Sequence, residues 1–204
     1  MQNKSHWENI YKTKKIDEVS WFQEIPSESL KLIEKYSSDN TDKIIDIGCG
    51  KSFLVDNLLE LNYTDISLVD ISSNALTEVK ERLKNKSLNF IETDILNFNS
   101  NDKYDVWHDR AVFHFITDTE EIEKYISLCN EYINKEGVLI IGTFAEDGPL
   151  KCSGLEIKRY SVDQISDLFE ESFELVESFK MLHKTPFDTE QSFSFCVLRK
   201  FTNH

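Results

Sequence analysis

Glycine and proline are scarce in this chain, six and three among 204 residues, so a close pair of glycines is a deliberate feature. The four cysteines at 49, 129, 152 and 196 have no paired spacing, which leaves no zinc set and no redox pair and points to a reducing, cytoplasmic setting. No apolar run approaches a membrane span, and the first residues lack both the apolar core of a signal peptide and the arginines of a transit peptide. Basic residues are outnumbered 23 to 37, for a net charge of −14. Sequence-independent binding to nucleic acid, which relies on clustered Lys and Arg, is therefore not expected. The imbalance is uneven, since residues 1–15 hold four lysines and one glutamate. With no repeats and no low-complexity tract, the chain reads as one globular domain over 1–204.

What is present centres on Asp46-Ile47-Gly48-Cys49-Gly50-Lys51-Ser52, between a short apolar run and an amphipathic one. That order is strand, glycine turn, helix, and bare peptide groups in such a turn let a ligand lie against the backbone. A phosphate-cradling loop would need glycine five residues before Gly50, where Ile45 stands. A dinucleotide fingerprint would need a small residue at Phe53.

Helices are expected over 5–15, over 27–36 with Ser27 as cap, from Phe53 to Leu61, from Ser72, from Asp118 through Ile133, and over 162–169. Strands are expected over 43–47, 66–69, 88–91, 104–107 and 138–144, with a closing hairpin of 173–183 and 192–200. Asn134–Gly137 reads as a turn and 145–160 as a long functional loop without periodicity. Alternating strands and helices make a parallel sheet whose ligands bind beyond the strands' carboxyl ends.

Asp46-x-Gly48-x-Gly50 resembles motif I of the class I, seven-strand S-adenosylmethionine-dependent methyltransferases, and the resemblance runs in motif order over roughly 40–200. It implies an α/β, Rossmann-like three-layer sandwich with a seven-strand, mostly parallel sheet whose last strand is antiparallel. It also implies S-adenosyl-L-methionine as cofactor, S-adenosyl-L-homocysteine as product, and no metal. By that resemblance Asp46, Gly48, Cys49, Gly50 and Ser52 lie under the methionine part. Asp70 takes the ribose hydroxyls, Ile71 covers the adenine, and Asp94 with Ile95 receive its edge. Plainer readings stand beside these: Asp70 as a helix cap, Asp94 as a turn residue, and Cys49, Cys129 and Cys196 as core.

Trp107-His108-Asp109-Arg110-Ala111-Val112-Phe113-His114-Phe115, just past the fourth strand, resembles a block found in a bacterial methyltransferase subgroup. His108, Asp109 and Arg110 are its catalytic candidates. His108, also a cofactor contact, or Asp109 would be the base, and Arg110 would hold the cofactor's carboxylate or an anionic acceptor. His114 is either an acceptor contact or a core histidine. The segment 1–26, with His6-Trp7-x-x-x-Tyr11 and Trp21-Phe22, is similar to the cover of thiol-type and protein-lysine methyltransferases; a hydrophobic staple is the plainer reading. Trp21 is assigned to the cofactor, and Tyr11, His114 and Lys151 to the acceptor, with Arg110, Lys151 and Lys12 converging there. The core is then 27–204, with 145–160 as substrate loop.

The block lacks the Asn/Asp-Pro-Pro-aromatic run and the Pro-Cys nucleophile of base-methylating enzymes. A small-molecule acceptor, reached by a monomer with no membrane or nucleic-acid partner, is the expectation, and a protein-lysine acceptor the alternative. An NAD-dependent oxidoreductase and a non-catalytic cofactor-binding protein are the competing classes.

Overall fold

The structure is a computed structural model and describes residues 4–202. Three short parallel strands come first: β1 (Ile44–Ile47), β2 (Ile66–Asp70) and β3 (Asn89–Glu92). β4 (Tyr104–Arg110) and β5 (Ile133–Phe144) continue the parallel set. A two-strand ribbon, β6 (Lys151–Cys152) and β7 (Leu155–Glu156), follows, and then β8 (Phe173–Lys184) and β9 (Glu190–Lys200). The main sheet has seven strands in the order β3-β2-β1-β4-β5-β9-β8. Among the described residues only β9, the last strand, runs antiparallel to both neighbours. The fold is the expected α/β Rossmann-like sandwich.

The helices are α1 (Lys4–Thr13), α2 (Ser27–Tyr36), α3 (Leu54–Glu60), α4 (Ser73–Arg82), α5 (Thr119–Tyr132) and α6 (Val162–Phe169). Strand alternation sorts the core between them. Ile44, Leu68, Val106, Ile140 and Val197 pack with Leu30, Leu58 and Val79 of α2, α3 and α4. Ile45, Val69, Trp107, Leu139 and Leu198 pack with Tyr125 of α5 and Phe169 of α6 on the other face. Both faces are covered, which is why β5 is apolar from Val138 to Ile141 and β9 from Phe195 to Leu198.

Four expectations on the elements are corrected. Pro26, not Ser27, occupies the cap position of α2, and Ser27 is its first residue. Ile133 leaves the helix and opens β5; Asn134–Gly137 form no separate turn but a bulge between the Tyr104–Ile133 and Val106–Val138 pairs, with Glu136 at φ 65°. His108, Asp109 and Arg110 belong to β4 itself, because their pairing with Asp46, Ile47 and the Ile140–Gly142 stretch continues to Arg110. The 145–160 segment carries the β6–β7 ribbon. Among the described residues no helix is long and apolar enough to cross a membrane.

Candidate active site

The loop between β1 and α3 needs glycine twice. Gly48 and Gly50 sit at φ 64° and 52°, in the left-handed region. A β-carbon on Gly48 would lie 2.1 Å from Val112 Cγ2, and one on Gly50 2.4 Å from the Tyr11 hydroxyl. Two cavities open over this loop and share Tyr11, Trp21, Gly48 and Arg110. One holds Asp46, Cys49, Ser52 and His108; the other holds Asp70, Ile71, Ile95, Val112 and Cys152.

Asp70 ends β2 and is buried; its Oδ2 accepts from Gly50 N and its Oδ1 from Ser72 N, both at 2.8 Å. Burial pushes its carboxyl up to about 6, against those two bonds. Ser72, not Asp70, caps α4 through its hydroxyl. Asp94 does not line either cavity: its Oδ1 accepts from Leu96 N at 3.0 Å and caps a short turn, while its neighbours Thr93 and Ile95 face the cleft. Cys49 is buried and lines the cavity that holds Asp46 and His108, and Ser52 Oγ accepts from Leu54 N at the start of α3. Cys129 and Cys196 lie in the core, as read.

Alternation along β4 separates the three catalytic candidates. His108 faces α2: Nδ1 donates to Asp46 Oδ1 at 2.7 Å and Nε2 is 2.9 Å from Ser29 Oγ, so both ring nitrogens are engaged. Asp109 faces α5 and lines neither cavity. Its Oδ1 accepts from Val112 N (2.9 Å) and Phe113 N (3.2 Å), and its Oδ2 from the Tyr125 hydroxyl (2.6 Å). Burial raises it to about 6 against these donors. The structure thus makes Asp109 an internal brace and not a base. Arg110 reaches the seam of the two cavities, with Nη1 donating to Trp21 O at 3.1 Å. Ala111, at φ 71°, turns the chain off the sheet directly after it.

Two acceptor candidates are corrected. His114 is fully buried between Phe115 and Phe144, at ring separations of 4.5 and 4.7 Å, and lines neither cavity. Burial first, and the Arg110 charge second, lower it to about 3, so it is a neutral core ring. Lys151 is exposed and paired with Glu156 at 2.6 Å across the β6–β7 ribbon. Ribbon alternation turns its neighbour Cys152 inward instead, where burial raises the thiol to about 12 despite Arg110. Lys12 lines neither cavity; Lys14, Lys15 and Lys51 border the one with Asp46.

Sequence reasoning missed the fastening of α1. The Glu8 carboxylate accepts from Ser72 Oγ (2.9 Å), Ser73 N and Oγ (both 2.8 Å), and Asn74 N (3.2 Å) at the N-terminus of α4. Partial burial raises its pKa, but the Ser73, Asn74 and Ser72 bonds outweigh it and bring it down to about 2. Beside it Trp7 is buried against Trp21 and Phe115, at 5.9 and 5.2 Å. His183 of β8 holds the carbonyl of Ser20 at 2.8 Å, next to the carbonyl held by Arg110. No residue pattern near Glu8 announces a bond to a helix 64 residues away.

A family model described as "Methyltransferase domain" matches residues 38–194. The chain belongs to that family. A malonyl-[acyl-carrier protein] O-methyltransferase of Ilyobacter polytropus is 26% identical over 136 residues, 66% of this chain and 51% of that protein. This methyltransferase domain therefore spans about half the length of that relative. The N-methyltransferase NodS of Bradyrhizobium japonicum, solved with S-adenosylhomocysteine, superposes with a TM-score of 0.74 at 15% identity, covering 98% of this chain and 99% of that one. The 1,6-didemethyltoxoflavin-N1-methyltransferase of Burkholderia thailandensis, solved with bound 1,6-didemethyltoxoflavin and S-adenosylhomocysteine, gives 0.74 at 14% identity, over 97% and 87%.

Proposed function

We propose that this methyltransferase domain moves the methyl group of S-adenosylmethionine to a nucleophilic O, N or S atom of a small molecule, acting as a cytoplasmic monomer. The observation that carries the reading is the joined pair of cavities over a glycine loop held open by Asp70. The residues present fit the cofactor: a β-carbon at Gly48 or Gly50 would fill the cradle, and Asp70 keeps lone pairs towards the cavity while bonded to Gly50 N.

Asp46, held by His108, and Ser52 border the methionine part; Ile71 and Ile95 flank the adenine side; Trp21 and Tyr11 lie over the seam. The bound cofactor supplies an electrophilic methyl on a sulfonium. The protein's contribution is alignment and exclusion of water, and alignment alone is worth about 7–11 kcal/mol in favourable cases. Trp7, Trp21 and Phe115 dry the acceptor side. His108 and Asp109 are both committed to internal bonds, so the reading routes no proton through either and suits an acceptor that arrives deprotonated. An enclosed, aromatic-rimmed cleft favours a compact acceptor over a protein side chain.

Calorimetry with S-adenosylhomocysteine tests the cofactor site. The wild type binds it, and a folded Gly50→Val variant does not; equal affinities would remove the assignment. Incubation of extract with methyl-labelled cofactor tests the acceptor. Label is expected in the metabolite fraction, and label confined to one protein band would move the reading to protein methylation.

A further inference from the structure

Arg110 is the unbalanced charge of the cleft. It stands at the end of β4, its Nη1 occupied by Trp21 O and its Cζ 5.2 Å over the Phe193 ring. Its Nη2 is buried and has no hydrogen-bond partner among the described residues. Asp46, whose charge reaches it, is bonded to His108 instead. The other titratable groups around it bring no negative charge. His114 and His183 are held neutral by burial and by Arg110 itself, and the Cys152 thiol stays protonated. Burial lowers the guanidinium only to about 10, so it remains a cation at neutral pH. A desolvated cation with a free N–H edge is costly by itself and is balanced by an anion presented in its plane.

Resting on the methyl-transfer reading, we infer that the acceptor carries a carboxylate, which docks on the free Nη2 edge of Arg110. Along the sheet this site lies to one side of the cofactor's, although Arg110 itself lines both cavities. The cofactor residues lie at the ends of β1, β2 and β3, whereas Arg110 ends β4 and Cys152 follows β5. Positive charge for the cofactor's own carboxylate is available at Lys14 and Lys15, which border the Asp46 cavity and not the other, whereas Lys51 there is paired with Glu78. One free guanidinium edge matches one small planar oxyanion; a polyphosphate would demand several cations. The rim of Trp7, Trp21 and Phe115 then selects an acid with an apolar body.

The test uses protein saturated with S-adenosylhomocysteine and ligand-observed NMR titration with malonate, succinate, phenylacetate and 3-mercaptopropionate, each beside its primary amide. At least one acid is expected to bind ten-fold or more tighter than its amide. Arg110→Gln should erase that preference while changing S-adenosylhomocysteine affinity less than three-fold, and Arg110→Lys should keep part of it. Acids bound no better than amides overturn the inference. So does a ten-fold loss of S-adenosylhomocysteine affinity in Arg110→Gln that a decarboxylated analogue does not share, because Arg110 then holds the cofactor's carboxylate. If Arg110→Gln fails to fold, the acid-against-amide comparison on the wild type still decides. A folded wild type that binds no S-adenosylhomocysteine overturns the methyl-transfer reading as well; one that binds it and shows no acid preference overturns the carboxylate site alone.

Discussion

The ends of β2 and β4 carry two aspartates that are alike in most respects. Asp70 and Asp109 are both buried, both accept two backbone N–H groups, and both are pushed up to about 6 by burial. They differ in what stands opposite. Asp70 borders a cavity; Asp109 meets the Tyr125 hydroxyl at 2.6 Å. A buried, perturbed acid at a strand's carboxyl end is therefore not a site marker on its own. The face of the strand decides, and β4 presents one residue to the core for each one it presents to the cleft side.

Removing each carboxylate should break the likeness in opposite ways. Asp109→Ala strips three donors of their acceptor in the core, and about 3–5 kcal/mol of folding stability is expected to go, measured by urea denaturation. Asp70→Ala should show its effect on the ligand, weakening S-adenosylhomocysteine by about 1–3 kcal/mol. A 2′-deoxyribose analogue should lose little further affinity in that variant; full additivity of the two losses would make Asp70 a loop brace like Asp109.

Glu8 sharpens the contrast from the other side, being an acid held down to about 2 where the aspartates are held up. A depressed pKa contributes stability that is whole above about 4.5 and drains away as pH falls toward 2. The aspartates act with the opposite sign: as pH falls from above 6 to below 4 they take up protons in the folded state first, which favours folding. Glu8→Gln should cost about 1 kcal/mol at neutral pH, the usual worth of a helix cap, and flatten the acid loss of α1 docking followed by Trp7 fluorescence. The smallest effect is expected at Lys151→Ala, on the solvent side of the ribbon, where S-adenosylhomocysteine affinity and stability should both stay at wild-type values. A clear loss there would return Lys151 to the cleft.

Hydrophobic period and strand–turn–helix order made the sheet, its helices and the glycine loop legible in the residues alone. Phe53 and Ile45 sufficed to set aside two other ligand loops. The site was half legible, and the missing half has one physical cause. Ending β4 at Trp107 counts His108, Asp109 and Arg110 together as cleft residues; three more paired residues hand Asp109 to the opposite face. The unseen β6–β7 ribbon works the same way, turning Cys152 in and Lys151 out. His114 lies among its aromatic neighbours as a neutral ring, its Nδ1 accepting from Phe144 N at 3.4 Å and its Nε2 left without a partner, which residue type alone does not announce.

β9 lies between β5 and β8, although it is the last strand along the chain. During synthesis the Ile140–Val197 pairing has no partner to form with until about residue 200 is made. Until then β5, apolar on both faces, is an open edge, and the growing chain holds a template for association with other chains. The contacts of Arg110 over Phe193 and of His183 with Ser20, where the acceptor is proposed to dock, come into being in that same closing step. A nascent chain can thus assemble its glycine loop well before it has anywhere to put a second substrate, and a ribosome that stalls short of β9 releases a half-site on an adhesive sheet.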